Sequence, residues 1–216
     1  MWTISQIVEE TILRSPFLTE VITEGIANNT QIARKLQPEV EKRLLKKVPL
    51  ASISMALHRL QGRLQKPQFG MDFLKQLNDV TVRSNLVAFV CPNSADLPLV
   101  LEALSRSAAQ KKDTFLNFSR GLHESLFIVS KEFEPEMAAT LKKNESGYKM
   151  EGLSAITMKL PEQSLDMPGV YYAILKIIAS EGISLVEVMS VRTEFSIIFE
   201  DKDVGRAFSA IKRIAP

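Results

Sequence analysis

The sequence repeats itself: when it is displaced by 70 residues, it matches its own pattern without a gap. The stretch SADLPLVLEA (94–103) then lies over SLDMPGVYYA (164–173), and GLHESLFIVS (121–130) lies over VRTEFSIIFE (191–200). Few residues are identical, but the apolar positions stay in phase throughout. Because an apolar pattern specifies which faces are buried, the two copies are predicted to fold alike.

Each copy contains the same order of predicted elements: strand, helix, strand, strand, helix. The copies span residues 80–147, the first repeat, and 148–216, the second repeat. In each, an apolar strand (84–91 or 154–160) leads to a polar loop that ends in Asp-x-Pro. A helix begins there, because proline is tolerated in the first helical turn. The order predicts ferredoxin-like α+β units, with helices on one face of a mainly antiparallel sheet.

Neither repeat shows an obvious fourth strand after its last helix, although a ferredoxin-like unit is expected to have one. The short segments 80–82 and 148–150, just before each apolar strand, could supply it. Strands would then be shared or exchanged between the repeats or between subunits. In that case, neither repeat should fold independently.

The second repeat resembles an ACT domain, particularly the paired ACT domains at the C-terminus of aspartokinases. The features are the Pro-Gly that opens a helix at 168–169, the Glu-Gly-Ile turn at 181–183 and the acidic EDKD before an alanine-rich helix. The resemblance covers about residues 80–216, strongly in the second repeat and weakly in the first, and no amino-acid kinase domain precedes it. It implies a regulatory module, often dimeric, that binds an amino acid or similar metabolite where edge strands of two ACT units meet.

The resemblance also implies a pocket between the loop after the first strand and the start of the second strand. The corresponding residues are Asp166, Met167, Pro168, Gly169 and Val170, with Ile183, Ser184 and Leu185 opposite. A helix N-terminus favours a carboxylate, and glycine allows close approach. Asp166 would receive an ammonium group or cap the helix; alternatively, Asp-x-Pro-Gly only ends a loop and begins a helix.

Two departures bear on this pocket. Ser184 stands where many amino-acid-binding ACT domains have asparagine, and a hydroxyl offers fewer hydrogen bonds than an amide. The first repeat has Leu99 at the position of the glycine and Thr114 at the position of the serine. The first repeat is therefore predicted to be mainly structural.

A separate all-helical domain is predicted over residues 1–66, and a linker is predicted over residues 67–79. Helices are expected over 3–14, 16–26, 30–36, 39–47 and 50–64, with a break at Gln37-Pro38. The stretch NNTQIARKL, followed by a connector of about a dozen residues and a polar-faced helix, resembles a helix-turn-helix or winged-helix module. Ser52, Arg59 and Arg63 would face the major groove of DNA, and Lys46 and Lys47 would contact phosphates. The alternative is a helical bundle for dimerisation or partner docking.

Charge and composition narrow the function classes. Residues 1–70 carry a net charge of +4 and residues 71–216 a net charge of −2, which sum to the +2 of the chain. The excess of basic residues in 1–70 is compatible with nucleic-acid binding, but the net charge is small. The sequence has no phosphate-binding glycine loop, no zinc-protease motif and no Cys-x-x-Cys, and Cys91 is its only cysteine. No enzyme activity, cofactor, metal, signal peptide or membrane span is predicted, so a cytoplasmic protein is expected.

Two functional hypotheses follow. The first is a homodimeric regulatory protein that senses a small molecule, most simply an amino acid, in the second repeat and carries a DNA-binding module in front. The second is an interaction protein: a regulatory subunit of a biosynthetic enzyme that does not bind DNA, or a dimerisation scaffold without a ligand.

Overall fold

The computed structural model describes residues 2–64, 74–75, 77, 79–94, 97–111, 113–140 and 147–213. The chain divides into two compact units, Met1–Gln68 (the helical body) and Phe69–Pro216 (the sheet body). Most of the predicted linker lies outside the described residues, as does Asp96 of the first Asp-x-Pro motif. Leu74 and Leu77, which the sequence analysis assigned to the linker, are buried in the core of the sheet body.

The helical body consists, over its described residues, of α1 (Ile4–Leu13), α2 (Pro16–Thr23), α3 (Asn29–Leu44) and α4 (Leu50–Gln61). The first three helices begin where a side chain caps the first amides. Thr3 forms a capping box with Gln6, and the Ser15 and Asn28 side chains accept from amides of the following turn. Apolar residues at helical spacing form one core, which includes Ile7, Val8, Ile12, Ile22, Ala33, Leu36, Val40, Ile53, Leu57 and Leu60.

The predicted break at Gln37-Pro38 was wrong, because α3 continues through Pro38 to Leu44. An internal proline removes one backbone hydrogen bond. On either side of it, however, Leu36 and Val40 are buried in the core, and that packing favours the continuous helix. The helix ends where Leu45 adopts a left-handed conformation at φ 53°. The connection to α4 is therefore the five residues 45–49 rather than about a dozen.

The sheet body contains one six-stranded antiparallel sheet in the order β2-β3-β1-β4-β6-β5. The strands of the first repeat are β1 (Val80–Pro92), β2 (Leu116–Arg120) and β3 (Glu124–Ser130). Those of the second repeat are β4 (Tyr148–Lys159), β5 (Glu187–Val191) and β6 (Glu194–Glu200). The helices are α5 (Leu97–Ala109), α6 (Glu134–Thr140), α7 (Val170–Ser180) and α8 (Asp201–Lys212), with short 3-10 helices at Lys131–Phe133 and Glu162–Asp166.

Each repeat takes its fourth strand from the other repeat. The segments 80–82 and 148–150 are not separate strands but the first residues of β1 and β4. These two long strands pair with each other at the centre of the sheet, with Val80 opposite Met158 and Val90 opposite Tyr148. We call this β1–β4 pairing the seam. It contains two register shifts, near Asn85 and Gly152, which have φ values of 58° and 69°.

The helices of the sheet body pack on one face of the sheet. The second repeat buries α7 and α8 against β4 and β6, and the first repeat buries α5 and α6 against β1 and β3. A smaller cluster on the opposite face contains Leu86, Ala88, Ile128, Leu153, Ala155 and Ile198, and no helix residue described by the structure contributes to it. One boundary differs from the prediction: α7 begins at Val170 rather than at Pro168.

Candidate functional site

The loop predicted to bind a ligand leads into the N-terminus of α7. Gly169 is the N-cap of α7 and has φ 89°, a left-handed conformation that favours glycine. Its counterpart in the first repeat, Leu99, lies inside α5, where no such conformation is needed. Asp166 ends the short 3-10 helix, and α7 has no side-chain cap. The capping role considered for Asp166 was therefore wrong, and the glycine is explained first by backbone conformation.

A small cavity of about 200 Å³ lies beside this loop. Met167, Gly169 and Val170 line it, whereas Asp166 and Pro168 are exposed and do not. The cavity is smaller than the roughly 300–1,000 Å³ of typical ligand sites. The sequence analysis did not identify the remaining lining residues, which are Leu160, Ser164, Leu165, Tyr171 and Tyr172. For Ser164 a signal existed, because the repeat places Ser94 over it.

The opposite half of the predicted pocket lies at the other end of α7. Ile183, Ser184 and Leu185 belong to the loop before β5, not to the strand itself. Ile183 is buried, with its amide donating to the carbonyl of Ile178 at 3.3 Å, while Ser184 and Leu185 are exposed. The eleven residues of α7 separate the two halves, which at about 1.5 Å per residue is roughly 16 Å. A single chain therefore does not bring the two predicted halves together.

Both halves nevertheless lie along one free edge of the sheet, formed by β5. Near the end of β5, the amide of Leu160 donates to the carbonyl of Thr193 at 2.7 Å, and Arg192 pairs with Glu162 at 2.7 Å. The Tyr171 hydroxyl lies 3.0 Å from that of Ser190, and its ring stacks on Phe195 with centroids 4.8 Å apart. The loop is thus attached to the end of β5. Several apolar side chains are exposed in this region: Leu165, Tyr171, Leu185 and Val191.

The residues predicted to contact DNA lie in or near α4 of the helical body. Lys46 and Lys47 are in the five-residue turn, Arg59 is exposed on α4, and Ser52 is half-buried in its first turn. Arg63 follows the end of the helix at Gln61.

Two of these cations have carboxylate partners within the helical body. Arg63 pairs with Glu9 at 3.5 Å, and Lys47 pairs with Glu41 at 3.4 Å. The pKa of Glu41 is lowered mainly because the Val48 amide donates to its carboxylate, at 3.0 Å. Glu41 therefore fixes the conformation of the turn and also neutralises one of its cations, Lys47.

Comparison with solved structures identifies the fold. The chain is similar to the aspartate kinase of Clostridium acetobutylicum, at 9% identity and a TM-score of 0.54, over 65% of this chain and 35% of that one. It is similar to the regulatory subunit of aspartate kinase from Thermus thermophilus, at 15% identity and a TM-score of 0.52, over 65% and 98%. It is also similar to the aspartate kinase of Synechocystis, at 17% identity and a TM-score of 0.51, over 65% and 27%.

The match covers more residues than the helical body contains, so it lies mainly on the sheet body. The sheet body therefore has the fold of aspartate kinase regulatory domains, which confirms the predicted ACT-like α+β fold. The match spans about a third of the Clostridium kinase chain. No protein-family model matches the sequence, and no curated protein matches it. No helix among the described residues is long and apolar enough to cross a membrane.

Proposed function

We propose that this chain is a regulatory protein that senses an amino acid, which the second repeat binds at the interface of a homodimer. The carrying observation is that the two predicted halves of the pocket lie at opposite ends of the same free edge strand, β5. The fold shared with aspartate kinase regulatory proteins supports the proposal, since 98% of one such neighbour, a regulatory subunit, matches 65% of this chain.

Antiparallel pairing of two β5 strands completes the pocket. An edge strand has unpaired backbone groups that another strand can pair with. In a twofold dimer, the end of one β5 lies beside the start of the other. The loop 166–170 of one subunit then faces residues 183–185 of its partner, and the cavity of about 200 Å³ gains a second wall. The same pairing covers exposed Val191 and Tyr171.

The chemistry of the completed pocket suits an amino acid. The α7 N-terminus has no side-chain cap, so the Val170 and Tyr171 amides are placed to receive a carboxylate. The exposed Asp166 carboxylate and the Ser184 hydroxyl provide acceptors for an ammonium group. Tyr171 and Leu165 provide apolar surface for a side chain.

The interface is tested with Val191→Lys. Val191 is 68% exposed in the single chain, so the lysine costs the folded chain little, but it places two cations at a paired β5 edge. Sedimentation should show a dimer for the unchanged protein and a monomer for the variant. Leu122→Lys, in the corresponding hairpin of the first repeat at 87% exposure, should remain dimeric. A monomeric unchanged protein, or a dimeric Val191→Lys variant, would refute this interface.

Ligand binding is tested by thermal shift against the common amino acids. A ligand present at about 100 times its Kd adds roughly 2.7 kcal/mol to folding stability. At least one amino acid should raise the Tm of the unchanged protein and of Leu122→Lys by more than it raises the Tm of Val191→Lys. If no amino acid shifts the dimer, the second repeat is a dimerisation scaffold and the sensing role is wrong.

The helical body has a second candidate function, DNA binding, which one observation favours. The connection between α3 and α4 is five residues long, close to the tight turn of a helix-turn-helix, and Lys46 and Arg59 are exposed on it and on α4. Affinity for a mixed-sequence duplex should fall steeply with added salt. Lys46→Glu should weaken binding and Lys212→Glu, in α8, should not. Equal effects of both variants would indicate nonspecific attraction and favour the helical body as a docking module.

A further inference from the structure

A larger cleft, of about 460 Å³, opens on the helix-free face of the sheet at one end of the seam. The strand register brings hydroxyl groups together there, with Thr81 opposite Thr157 and Thr157 opposite Ser196. The Thr157 and Ser196 hydroxyls lie 2.8 Å apart and share a hydrogen bond. The cleft belongs entirely to the sheet body and is separate from the loop at α7.

Charges of both signs line this cleft. Arg83 and Lys159 supply two cations, and Asp79 and Glu194 supply two carboxylates. Although Lys159 stands opposite Glu194 in the register, none of these four side chains forms an ion pair within the described part of the chain. Arg83 is oriented by donating a hydrogen bond to the backbone carbonyl of Asp113. The cleft therefore presents both charge signs without neutralising them internally.

The opposite end of the seam is a built-in comparison. The 70-residue displacement relates Asp79 to Lys149 and Thr81 to Glu151. At that end the charges pair with one another: Lys149 with Glu134 and Glu151, and Lys131 also with Glu151. Hydrogen bonds from Lys149 to Glu134 and Glu151 raise the pKa of the Lys149 ammonium. At the Lys149 end of the seam the charged side chains thus neutralise one another, whereas, among the residues that the structure describes, those at the Asp79 end do not.

We propose that the open end of the seam, between Asp79, Arg83, Lys159 and Glu194, binds a small zwitterion that carries a carboxylate and an ammonium group. Arg83 and Lys159 receive the carboxylate, because hydrogen bonds between charged groups are the strongest available to it. Asp79 and Glu194 receive the ammonium group, and the Thr81 and Thr157 hydroxyls complete the polar wall. The volume lies within the range of about 300–1,000 Å³ for small-molecule sites. This site is independent of the proposed pocket at the β5 edge.

The test uses the full-length chain, titrated with each common amino acid to about 10 mM, a range that reaches millimolar Kd values. Isothermal titration calorimetry and amide chemical shifts report binding. At least one amino acid should bind and shift the amide signals of Thr81, Thr157 and Glu194. Its analogue without the ammonium group and its analogue without the carboxylate should each bind at least about tenfold more weakly.

Variants then locate the site. Arg83→Gln should weaken binding by about ten- to hundredfold, the equivalent of losing one charged hydrogen bond. Lys159→Gln, an exposed side chain, provides the same test if Arg83→Gln does not fold. Lys131→Gln, at the neutralised end of the seam, is the matched control and should leave the affinity unchanged.

Three results overturn the proposal. No amino acid binds, or the analogue without the ammonium group binds as well as its parent, or both Arg83→Gln and Lys159→Gln bind like the unchanged chain. In the last case, loss of binding in Val191→Lys would locate the ligand at the β5 edge and so support the proposed function instead. Conversely, binding that survives Val191→Lys and is lost in Arg83→Gln supports the seam site alone.

Discussion

Gly169 supports a quantitative prediction, because its φ of 89° fixes what a side chain would cost there. In Gly169→Ala, the new Cβ opposes the left-handed conformation by about 1–2 kcal/mol. Gly205→Ala is the matched control, since Gly205 lies inside α8 and an added Cβ meets no atom within 4 Å beyond its chain neighbours and the adjacent helix backbone. That variant should stabilise the helix by about 0.5–1 kcal/mol. Both changes restrict the unfolded chain alike, so the difference of about 1.5–3 kcal/mol isolates the backbone conformation.

The assay is urea unfolding, with separate signals for the two bodies. Trp2, the only tryptophan, reports on the helical body by fluorescence, whereas all three tyrosines lie in the sheet body. Gly169→Ala should lower the midpoint of the sheet-body transition, Gly205→Ala should raise it, and the Trp2 transition should not move. Gly169→Asn should be intermediate, because asparagine tolerates this conformation better than alanine. A Gly169→Ala variant as stable as Gly205→Ala would refute the conformational explanation and leave close approach of a ligand as the reason for glycine.

Three further predictions concern a proline inside a helix, the loss of stability at acid pH and a buried aromatic ring. Pro38→Ala should stabilise the helical body by about 1–2 kcal/mol, because it restores an internal helix hydrogen bond, and Trp2 fluorescence in urea measures this. The pKa of Glu10 is lowered mainly because Arg43 donates to it at 2.6 Å. The ionised Glu10 therefore contributes its full stabilisation above the ordinary pKa of 4.5, and this contribution is lost as the pH falls through the pKa in the folded protein. When Tm is measured at a series of pH values, Glu10→Gln should show a smaller decrease of Tm at acid pH than the unchanged protein. Phe195→Ala should destabilise the sheet body by about 3–5 kcal/mol in urea, because the ring is buried and nothing refills the cavity.

The sequence was informative where structure follows from local spacing. The stripe of Ile53, Leu57 and Leu60 on α4 is buried as its period predicts, and strands β3 and β6 occur where short apolar runs are bounded by polar residues. Helix ends followed the same logic at Thr3 and Asn28, where a capping side chain precedes the first turn. These features depend on residues within one or two turns of each other, so they can be derived without knowing the fold.

The sequence was less informative where contacts between residues far apart in the chain determine the structure. Pro38 ends a helix by local rules, yet Leu36 and Val40 on either side of it are buried in the core that also contains residues of α1 and α4, and this packing favours the continuous helix. The pairing of β1 with β4 joins strands that are some 70 residues apart, and the sequence left open whether such strands would be shared between the repeats or between subunits. For the candidate site, the φ of 89° explains why residue 169 is glycine, and the binding role of its loop stays a prediction. The sequence analysis placed residues 183–185 beside that loop, which a single chain does not do.

The duplication explains why the candidate sites lie where they do. Two copies of one fold need only the apolar pattern in common, because that pattern forms both cores. Positions outside the cores are then free to differ, and the differences accumulate where the copies have distinct surroundings. Gly169 against Leu99 distinguishes the two helix N-termini, and Asp79 against Lys149 distinguishes the two ends of the seam. At each of these places one copy is closed, by a helix that begins earlier or by ion pairs, and the other is left open. The two repeats can therefore be compared with each other. Features that both repeats share are those that the fold requires, and features that only the open copy has need an explanation beyond the fold.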